Sequence, residues 1–404
     1  MQRELPKIIS VDDHVIEPPH LFERWLPARF RDRAPRVERK YAVGEQYFGG
    51  GHYVPIYGDE GATEGTPVDT WSYEGRTITA LRRNIAAVGF PLEERGAQLL
   101  TFDEMRPGCY DPKARLLDMD ANWVEASLCF PTMPRFCGQT FKEADDKELA
   151  LACVQAYNDF MVEEWCGDSG GRLLPLIIVP LWDAELAAAE VRRNAERGVR
   201  AVTFCEIPPN LDLPSIHSGH WDPFIRACEE TGTVINMHVG SSSKMPATGP
   251  DAPPAVTLTL TFGNAMASLT DWLFSGKLVQ FPEVKLAFSE GQIGWIPYVI
   301  SRADDVWYTA QAWAGVKDIV PEPPSTYYYR NIYGCFFRDP AGMATIDAIG
   351  VDRITFETDY PHTDSTWPDT KKVAEEMFAD LDDDVIYRIV RGNAIEMLGL
   401  DFDK

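Results

Sequence analysis

The chain has 404 residues, 45% hydrophobic and 25% charged, which is ordinary for a globular protein and sufficient for one large domain. A formal net charge of −24 argues against nucleic acids and anionic membranes as partners. The sequence shows neither a long apolar segment nor a secretory leader, so we expect a cytoplasmic protein. Its eight cysteines form no CxxC pair, and we expect reduced core thiols.

The first predicted strand, residues 8–11, runs directly into Asp12, Asp13 and His14. Because alternate residues of a strand share a face, Asp12 and His14 are expected to point one way and Asp13 the other. A stretch rich in proline, glycine and aromatic residues follows at 15–110, with a predicted turn at 49–51. It is too long for a simple loop. We therefore expect one domain over 1–404, in which 15–110 is an insertion that acts as a lid or as a subunit interface.

After residue 110, short apolar runs alternate with amphipathic segments. The apolar runs lie at 125–130, 173–179, 199–206, 234–239, 285–290, 332–337 and 353–358, and the amphipathic segments at 147–165, 184–197, 222–230, 272–279, 340–349 and 384–398. With the first strand, this alternation predicts an α/β fold of the (β/α)8 TIM barrel type. An open doubly wound sheet is the alternative, but it would be expected to show a glycine-rich first crossover, which this sequence lacks.

Polar residues stand where the predicted strands end, which is where barrel enzymes carry their functional groups. These residues are Asp12, His14, Glu206, His238, Glu290, Asp359 and His362. Clustered carboxylates repel one another unless a cation or protons neutralise them, so the pattern predicts a metal site. Two alternatives stay open: Glu206 caps the turn before Pro208, and His362 orients Asp359 without binding metal.

Three further residues near the strand ends are candidates for substrate binding. Ser241 follows His238, whereas Trp295 and Arg302 follow the sixth predicted strand. An arginine such as Arg302 pairs well with a substrate carboxylate. The alternative for Arg302 is an ion pair on a helix surface.

Several motifs together resemble the amidohydrolase-related family, in the branch of aminocarboxymuconate semialdehyde decarboxylase and the hydroxybenzoate decarboxylases. The motifs are Val-Asp-Asp-His at 11–14, Ile-Asn-Met-His-Val-Gly at 235–240, Ser-Glu-Gly-Gln-Ile-Gly-Trp at 289–295, Glu-Thr-Asp-Tyr-Pro-His at 357–362 and Gly-Asn-Ala at 392–394. The resemblance implies a distorted barrel with one or two divalent ions. It implies Asp12, His14, His238 and Asp359 as ligands, with Asp359 and His238 catalytic and Asp359 transferring protons.

The chain departs from the family pattern at two positions. Its first strand ends in Asp-x-His instead of His-x-His or Glu-x-His, and Glu290 stands where the family often has histidine. Both departures replace nitrogen by oxygen, which favours manganese or iron over zinc.

Three functions follow from these expectations. The first is a metal-dependent hydrolase or non-oxidative decarboxylase acting on a small carboxylated, amide or ester substrate. The second is a dinuclear non-haem iron or manganese oxygenase, in which Glu206 and Glu290 add carboxylates to the site. The third is an inactive metal-binding subunit in a hetero-oligomer with a related barrel, although a purely structural metal would need fewer ligands. For an active enzyme we expect a homo-oligomer.

Overall fold

The structure is a computed structural model that describes residues 4–48, 53–59 and 61–402. The glycine turn predicted at 49–51 lies outside the described residues. The strands, in chain order, are β1 (Ile8–His14), β2 (Arg36–Tyr47), β3 (Tyr53–Tyr57), β4 (Thr66–Tyr73), β5 (Arg76–Ala80), β6 (Val124–Phe130), β7 (Leu173–Leu174), β8 (Leu176–Ile177), β9 (Ala201–Phe204), β10 (Val234–His238), β11 (Leu286–Ser289), β12 (Ile332–Phe336) and β13 (Ile354–Phe356).

Nine of these strands pair in parallel and form two sheets. One sheet has the order β1-β6-β7, and the other has the order β13-β12-β11-β10-β9-β8. Only Pro175, which has no N–H for a ladder hydrogen bond, separates β7 from β8. Every apolar run predicted to be a strand contains one, so the predicted parallel α/β organisation is confirmed.

Main-chain hydrogen bonds also join the outer strands of the two sheets. The amide of Asp359, just after β13, donates to the carbonyl of Asp12 at 3.0 Å, and the amide of His14 donates to the carbonyl of Tyr360 at 2.6 Å. The two sheets are therefore linked at the β7–β8 junction and at the β1–β13 junction. This second junction brings the polar ends of the first and last strands together.

The stretch at 36–80, for which no strand was predicted, contains an antiparallel sheet. Its strand order is β3-β2-β4-β5. One part of β4 is buried, with Trp71 and Tyr73 in the core, whereas β2 and β3 are mostly exposed. This sheet is hard to predict from sequence because its strands are half-exposed and lack a regular apolar alternation.

Helices cover most of the amphipathic segments, although some boundaries differ from the prediction. The predicted start of the segment at 272–279 is wrong, because the helix that contains residue 272 begins at Phe262. The α-helices are Leu21–Trp25, Pro112–Ala121, Gln139–Lys142, Lys147–Phe160, Ala184–Ala195, Asp222–Thr231, Pro254–Thr259, Phe262–Phe274, Lys277–Gln280, Ile296–Thr309, Gln311–Ala314, Pro324–Asn331, Pro340–Met343, Ile346–Ile349, Thr370–Met377, Asp383–Tyr387 and Asn393–Leu398, and π-helical turns occupy Met161–Trp165 and Arg388–Gly392.

The apolar core has two main parts. The larger part packs the helices against the strands. The smaller part takes side chains from most of the parallel strands, such as Val11, Leu128 and Leu176, and adds Met397 and Leu398 from the last helix. All eight cysteines are buried, which confirms that they are core residues, and each is a free thiol in the structure.

Within the described ranges, no helix combines the length and the apolar character needed to cross a membrane.

Candidate functional site

The end of β1 sends neighbouring side chains in opposite directions. The Nε2 atom of His14 lies 3.5 Å from Oδ1 of Asp12. Asp13 instead accepts hydrogen bonds from the Thr358 hydroxyl at 2.6 Å and from the Tyr360 amide at 2.9 Å. The predicted alternation is therefore confirmed: Asp12 and His14 share one environment, and Asp13 belongs to another.

Side chains from three other strand ends join Asp12 and His14. The Nε2 atoms of His14 and His238 are 3.1 Å apart, and His238 Nε2 lies 3.5 Å from Asp12 Oδ2. Asp359 Oδ1 lies 3.5 Å from His14 Nε2, and Glu290 Oε2 lies 3.6 Å from His238 Nε2. These five residues form what we call the strand-end cluster. All are fully buried except Glu290, whose side chain is 20% exposed.

The backbone at the strand ends directs these side chains. Glu290 follows β11 with φ at 54°, and Asp359 follows β13 with φ at 51°. Non-glycine residues rarely adopt positive φ, and such strain is concentrated at functional sites. His238, the last residue of β10, is fixed differently: its Nδ1 lies 2.6 Å from the carbonyl of Val239. Because a carbonyl only accepts, Nδ1 carries the proton, and Nε2 presents its lone pair to the cluster.

The donor set of the strand-end cluster fits a divalent metal ion. Two overlapping groups have ligand atoms within 4.8 Å of one another: Asp12, His14 and His238, and His14, Asp359 and His362. Both carboxylate oxygens of Asp12 are buried without a hydrogen-bond partner. Metal–ligand bonds of about 2.0–2.2 Å would place neighbouring ligand atoms roughly 3.0–3.5 Å apart, which matches the spacings in the cluster. The imidazole and carboxylate ligands suit zinc, manganese and iron.

Burial and mutual repulsion favour the uncharged form of every group in the cluster. Burial, followed by the neighbouring carboxylates of Glu357 and Glu290, raises the pKa of Asp12 well above its ordinary value. Burial also raises the pKa of Asp359. Burial lowers the pKa of His14 and brings the pKa of His238 to about 3. A cation in the cluster would reverse this preference for the carboxylates, because it stabilises their charged form.

The structure brings His362 to the edge of the cluster. Its Nδ1 lies 2.9 Å from Oδ1 of Asp359, and its ring stacks on the ring of His14 with centroids 3.7 Å apart. Its Nε2 is buried without a hydrogen-bond partner. Both predicted roles, ligand and orienting partner of Asp359, are compatible with this position.

Ser241 lies in the loop that follows His238, and Glu206 is hydrogen-bonded to that loop. The Glu206 carboxylate accepts a hydrogen bond from the amide of Gly240 at 3.0 Å. The backbone amide of Glu206 donates to the Ser241 hydroxyl at 2.9 Å. Burial raises the pKa of Glu206 to about 8. Neither residue is in the two groups whose ligand atoms converge.

The contacts of Trp295 and Arg302 are with residues close to them in the chain. Trp295 donates from its indole N–H to the carbonyl of Gly291 at 2.7 Å. Arg302 lies on the helix Ile296–Thr309, its side chain is 59% exposed, and it pairs with Asp305 one turn along. This placement of Arg302 corresponds to the alternative of a helix-surface ion pair.

Glu357 is a buried carboxyl beside the cluster that the sequence did not single out. It accepts hydrogen bonds from the amide of Glu290 at 3.2 Å and from the thiol of Cys335, and burial raises its pKa to about 8. Glu357 lies two residues before Asp359, which is the same alternate spacing as that of Asp12 and His14. This spacing could have indicated that Glu357 faces the same side as Asp359.

A cavity of about 560 Å³ reaches His362 from the surface. Strands β3 and β5 line one side of it, and Arg135, Phe136 and Gly240 line another. The antiparallel sheet therefore forms part of the wall beside the strand-end cluster.

Several solved structures have a similar fold. An amidohydrolase from Mycobacterium avium subsp. paratuberculosis K-10 has a TM-score of 0.72 at 20% identity, covering 98% of this chain and 100% of that chain. The apo IDCase of Metarhizium anisopliae has a TM-score of 0.66 at 17% identity, covering 98% and 97%. A dihydroxybenzoic acid decarboxylase from Polaromonas sp. JS666, with bound manganese and 2-nitroresorcinol, has a TM-score of 0.58 at 19% identity, covering 74% and 89%.

At these identities the structural likeness establishes a shared fold. The family model described as amidohydrolase matches residues 48–400, which is most of the chain and includes all three strand ends after β1 that contribute to the strand-end cluster. The resemblance inferred from the motifs is thereby confirmed, and the chain belongs to the amidohydrolase family.

Proposed function

We propose that this protein is a metal-dependent hydrolase or non-oxidative decarboxylase that acts on a small organic substrate. Asp12, His14, His238 and Asp359 would hold the ion, with Glu290 beside them. The observation that carries the proposal is the convergence of unpartnered Asp12 oxygens on two imidazole Nε2 atoms that are 3.1 Å apart. Uncompensated buried carboxylates are costly, so their retention is best explained by a cation.

We also propose that the parallel strands close into an eight-stranded barrel, with β7 and β8 as one interrupted strand. The hydrogen bonds between Asp359 and Asp12 and between His14 and Tyr360 support closure. The separate core formed by the strands and capped by Met397 supports a filled barrel interior. In this arrangement the segment 15–110 is an insertion within one domain, and its sheet acts as a lid at the barrel mouth.

A bound divalent ion would supply Lewis acidity to the reacting group of the substrate. Asp359 would move the proton, because its carboxyl faces the cluster, with Oδ1 3.5 Å from His14 Nε2. His362 would orient Asp359 through the 2.9 Å contact. In decarboxylation the bond to the carboxylate carbon breaks, CO₂ leaves, and the carbon that keeps the electron pair takes the proton from Asp359.

Decarboxylation is the reaction we favour. Two proteins of similar fold are described as dihydroxybenzoate decarboxylases, one with its substrate and one with manganese. The oxygen-rich ligand set of Asp12, Asp359 and Glu290 also suits manganese. Hydrolysis of an amide or ester would need the same ion and the same proton-transfer residue. The test below therefore assays both hydrolysis and decarboxylation.

The test begins with metal content, measured after expression with manganese, iron and zinc. The manganese-loaded protein is then assayed with 2,6-dihydroxybenzoate and other aromatic acids for CO₂ release, and with amides and esters for hydrolysis. Asp359→Asn is the matched inactive variant. No metal above trace levels in the wild type, or equal turnover by wild type and Asp359→Asn, would overturn the proposal. The dinuclear oxygenase stays a prediction, and O₂ uptake with a turned-over substrate is its measurement.

A further inference from the structure

The cavity that reaches His362 has an unusual charge for this protein. The chain carries 62 acidic and 38 basic residues, yet the described residues that line the cavity include Arg82 and Arg135 and no aspartate or glutamate. A cavity with cationic walls in an acidic protein attracts anions locally.

The two arginines differ in whether the guanidinium already forms an ion pair within the protein. Arg82 is paired with Glu45 at 2.7 Å and donates to the carbonyl of Tyr53 at 2.8 Å. Among the described residues, none accepts a hydrogen bond from the guanidinium of Arg135 or forms an ion pair with it. Arg135 is exposed at the cavity wall, so its five N–H donors are available to a ligand.

The loop that carries Arg135 is held in place before any ligand arrives. The buried carboxylate of Glu17 accepts from the amides of Thr132 at 2.9 Å and Met133 at 2.7 Å. The hydroxyl of Thr203 donates to the carbonyl of Phe136 at 2.5 Å. Arg135 itself has φ at 59°. A rigid loop presents its side chain with little loss of entropy on binding.

The cavity becomes more buried from Arg135 toward the strand-end cluster. Arg135 is exposed, Phe136 and Ile78 are half-buried, and His362 is 12% exposed. Beyond them, His238 is fully buried, with its ring 4.2 Å from the ring of Phe136. An anion on Arg135 therefore lies at the outer end of the cavity, and the reacting group of the same substrate lies at the inner end, with an apolar wall between them.

We propose that Arg135 binds a second, non-reacting anionic group of the substrate, so that the substrate is a compound with an apolar body and anionic or polar groups at both ends. This inference rests on the proposed function for the identity of the reacting end. It makes Arg135 a specificity-determining residue, because a guanidinium pairs with a carboxylate in a bidentate fashion.

The test compares diacids with matched monoacids by calorimetric titration of the manganese-loaded protein. The probe pairs are isophthalate with benzoate and adipate with hexanoate. The variants are Arg135→Gln, which removes the charge, and Arg302→Gln, which removes an exposed arginine that does not line the cavity. Thermal unfolding of each variant checks that it is folded.

We expect the wild type and Arg302→Gln to bind at least one diacid about tenfold or more tightly than its monoacid, since a charge-assisted pair contributes that much. In Arg135→Gln the diacid and the monoacid are expected to bind within about threefold of each other. An unchanged diacid preference in Arg135→Gln would overturn the inference, as would a wild type without any preference or without binding of either diacid.

This measurement needs no turnover. A diacid preference that depends on Arg135, in a protein that neither hydrolyses nor decarboxylates any substrate, would remove the proposed function and leave the binding role of Arg135 standing. Turnover that depends on Asp359 but shows no effect of Arg135 on diacid binding would do the reverse.

Discussion

Two groups of buried polar side chains meet at the end of β1, and they differ in how their hydrogen-bonding capacity is used. Asp13 accepts from the hydroxyls of Ser10 at 3.1 Å and Thr358 at 2.6 Å, from the Ser127 hydroxyl and from the Tyr360 amide. Asp12, one residue earlier, is equally buried and has no hydrogen-bond partner for either oxygen. Burial alone therefore does not distinguish a structural carboxylate from a functional one.

A buried cation completes the group around Asp13. Arg115 is fully buried and donates to the carbonyl of Gly108 at 2.7 Å and to the carbonyl of His14. Its guanidinium also lies 4.0 Å from the centroid of the Tyr360 ring. The group around Asp13 thus holds its own positive charge, whereas the strand-end cluster contains none. The carboxylates of the strand-end cluster therefore need a cation or bound protons to balance their charge.

The largest expected effect comes from Asp12→Asn. We expect manganese affinity to fall at least about a thousandfold, because one charged ligand is lost. The metal-free variant is expected to be as stable as the metal-free wild type or up to about 2 kcal/mol more stable, since an unpaired buried carboxyl is removed. Metal titration and urea unfolding of the metal-free proteins measure both. A metal-free variant that is clearly less stable would contradict the comparison.

The same substitution one residue later, Asp13→Asn, is expected to lower the stability of the folded protein. It replaces an acceptor by a donor that faces other donors, and we expect the free energy of unfolding to fall by about 3 kcal/mol. Urea unfolding of the metal-free proteins measures this loss. If Asp13→Asn left stability unchanged and abolished metal binding, the assignment of the two carboxylates would have to be exchanged.

Glu206 is an intermediate case, because one of its oxygens accepts from Gly240 and the other has no partner. Burial raises the pKa of Glu206 from 4.5 to about 8. The folded protein therefore keeps a proton that the unfolded chain has lost, so the contribution of Glu206 to stability is greatest below pH 4.5 and falls as the pH rises to about 8.

Glu206→Gln keeps the acceptor and removes this titration. Between about pH 5 and pH 8 we expect the wild type to lose on the order of 2 kcal/mol more stability than the variant. Urea unfolding of the metal-free proteins at several pH values gives the difference. Parallel pH profiles would show that Glu206 stays charged in the folded protein and would return it to the candidate metal ligands.

The smallest effect is expected for Arg302→Gln. Its ion pair with Asp305 is exposed, and such pairs contribute about 0–1 kcal/mol. We expect metal affinity and turnover within about twofold of the wild type. A steady-state assay with any accepted substrate measures this. A tenfold rise in KM would return Arg302 to the substrate site.

Periodicity in the sequence predicted every parallel strand and the opposite directions of Asp12 and Asp13. Both depend on local geometry, because a buried strand needs an apolar run and alternate residues face opposite ways. The sheet of β2–β5 was missed, since its half-exposed strands carry no comparable pattern. Glu357 was missed because a single carboxyl inside a strand gives no sign of which neighbours surround it.

The sequence by itself determined the order of strands and helices and the residue types at the strand ends, because these follow from interactions between residues close in the chain. Tertiary structure alone decided which strand ends meet. It joined Asp12, His14, His238 and Asp359, hydrogen-bonded Glu206 to the loop that follows His238, and placed Arg302 on an exposed helix face. Contacts between residues more than a hundred positions apart depend on how the whole chain packs, and hydrogen-bond satisfaction, which separates Asp12 from Asp13, depends on those contacts.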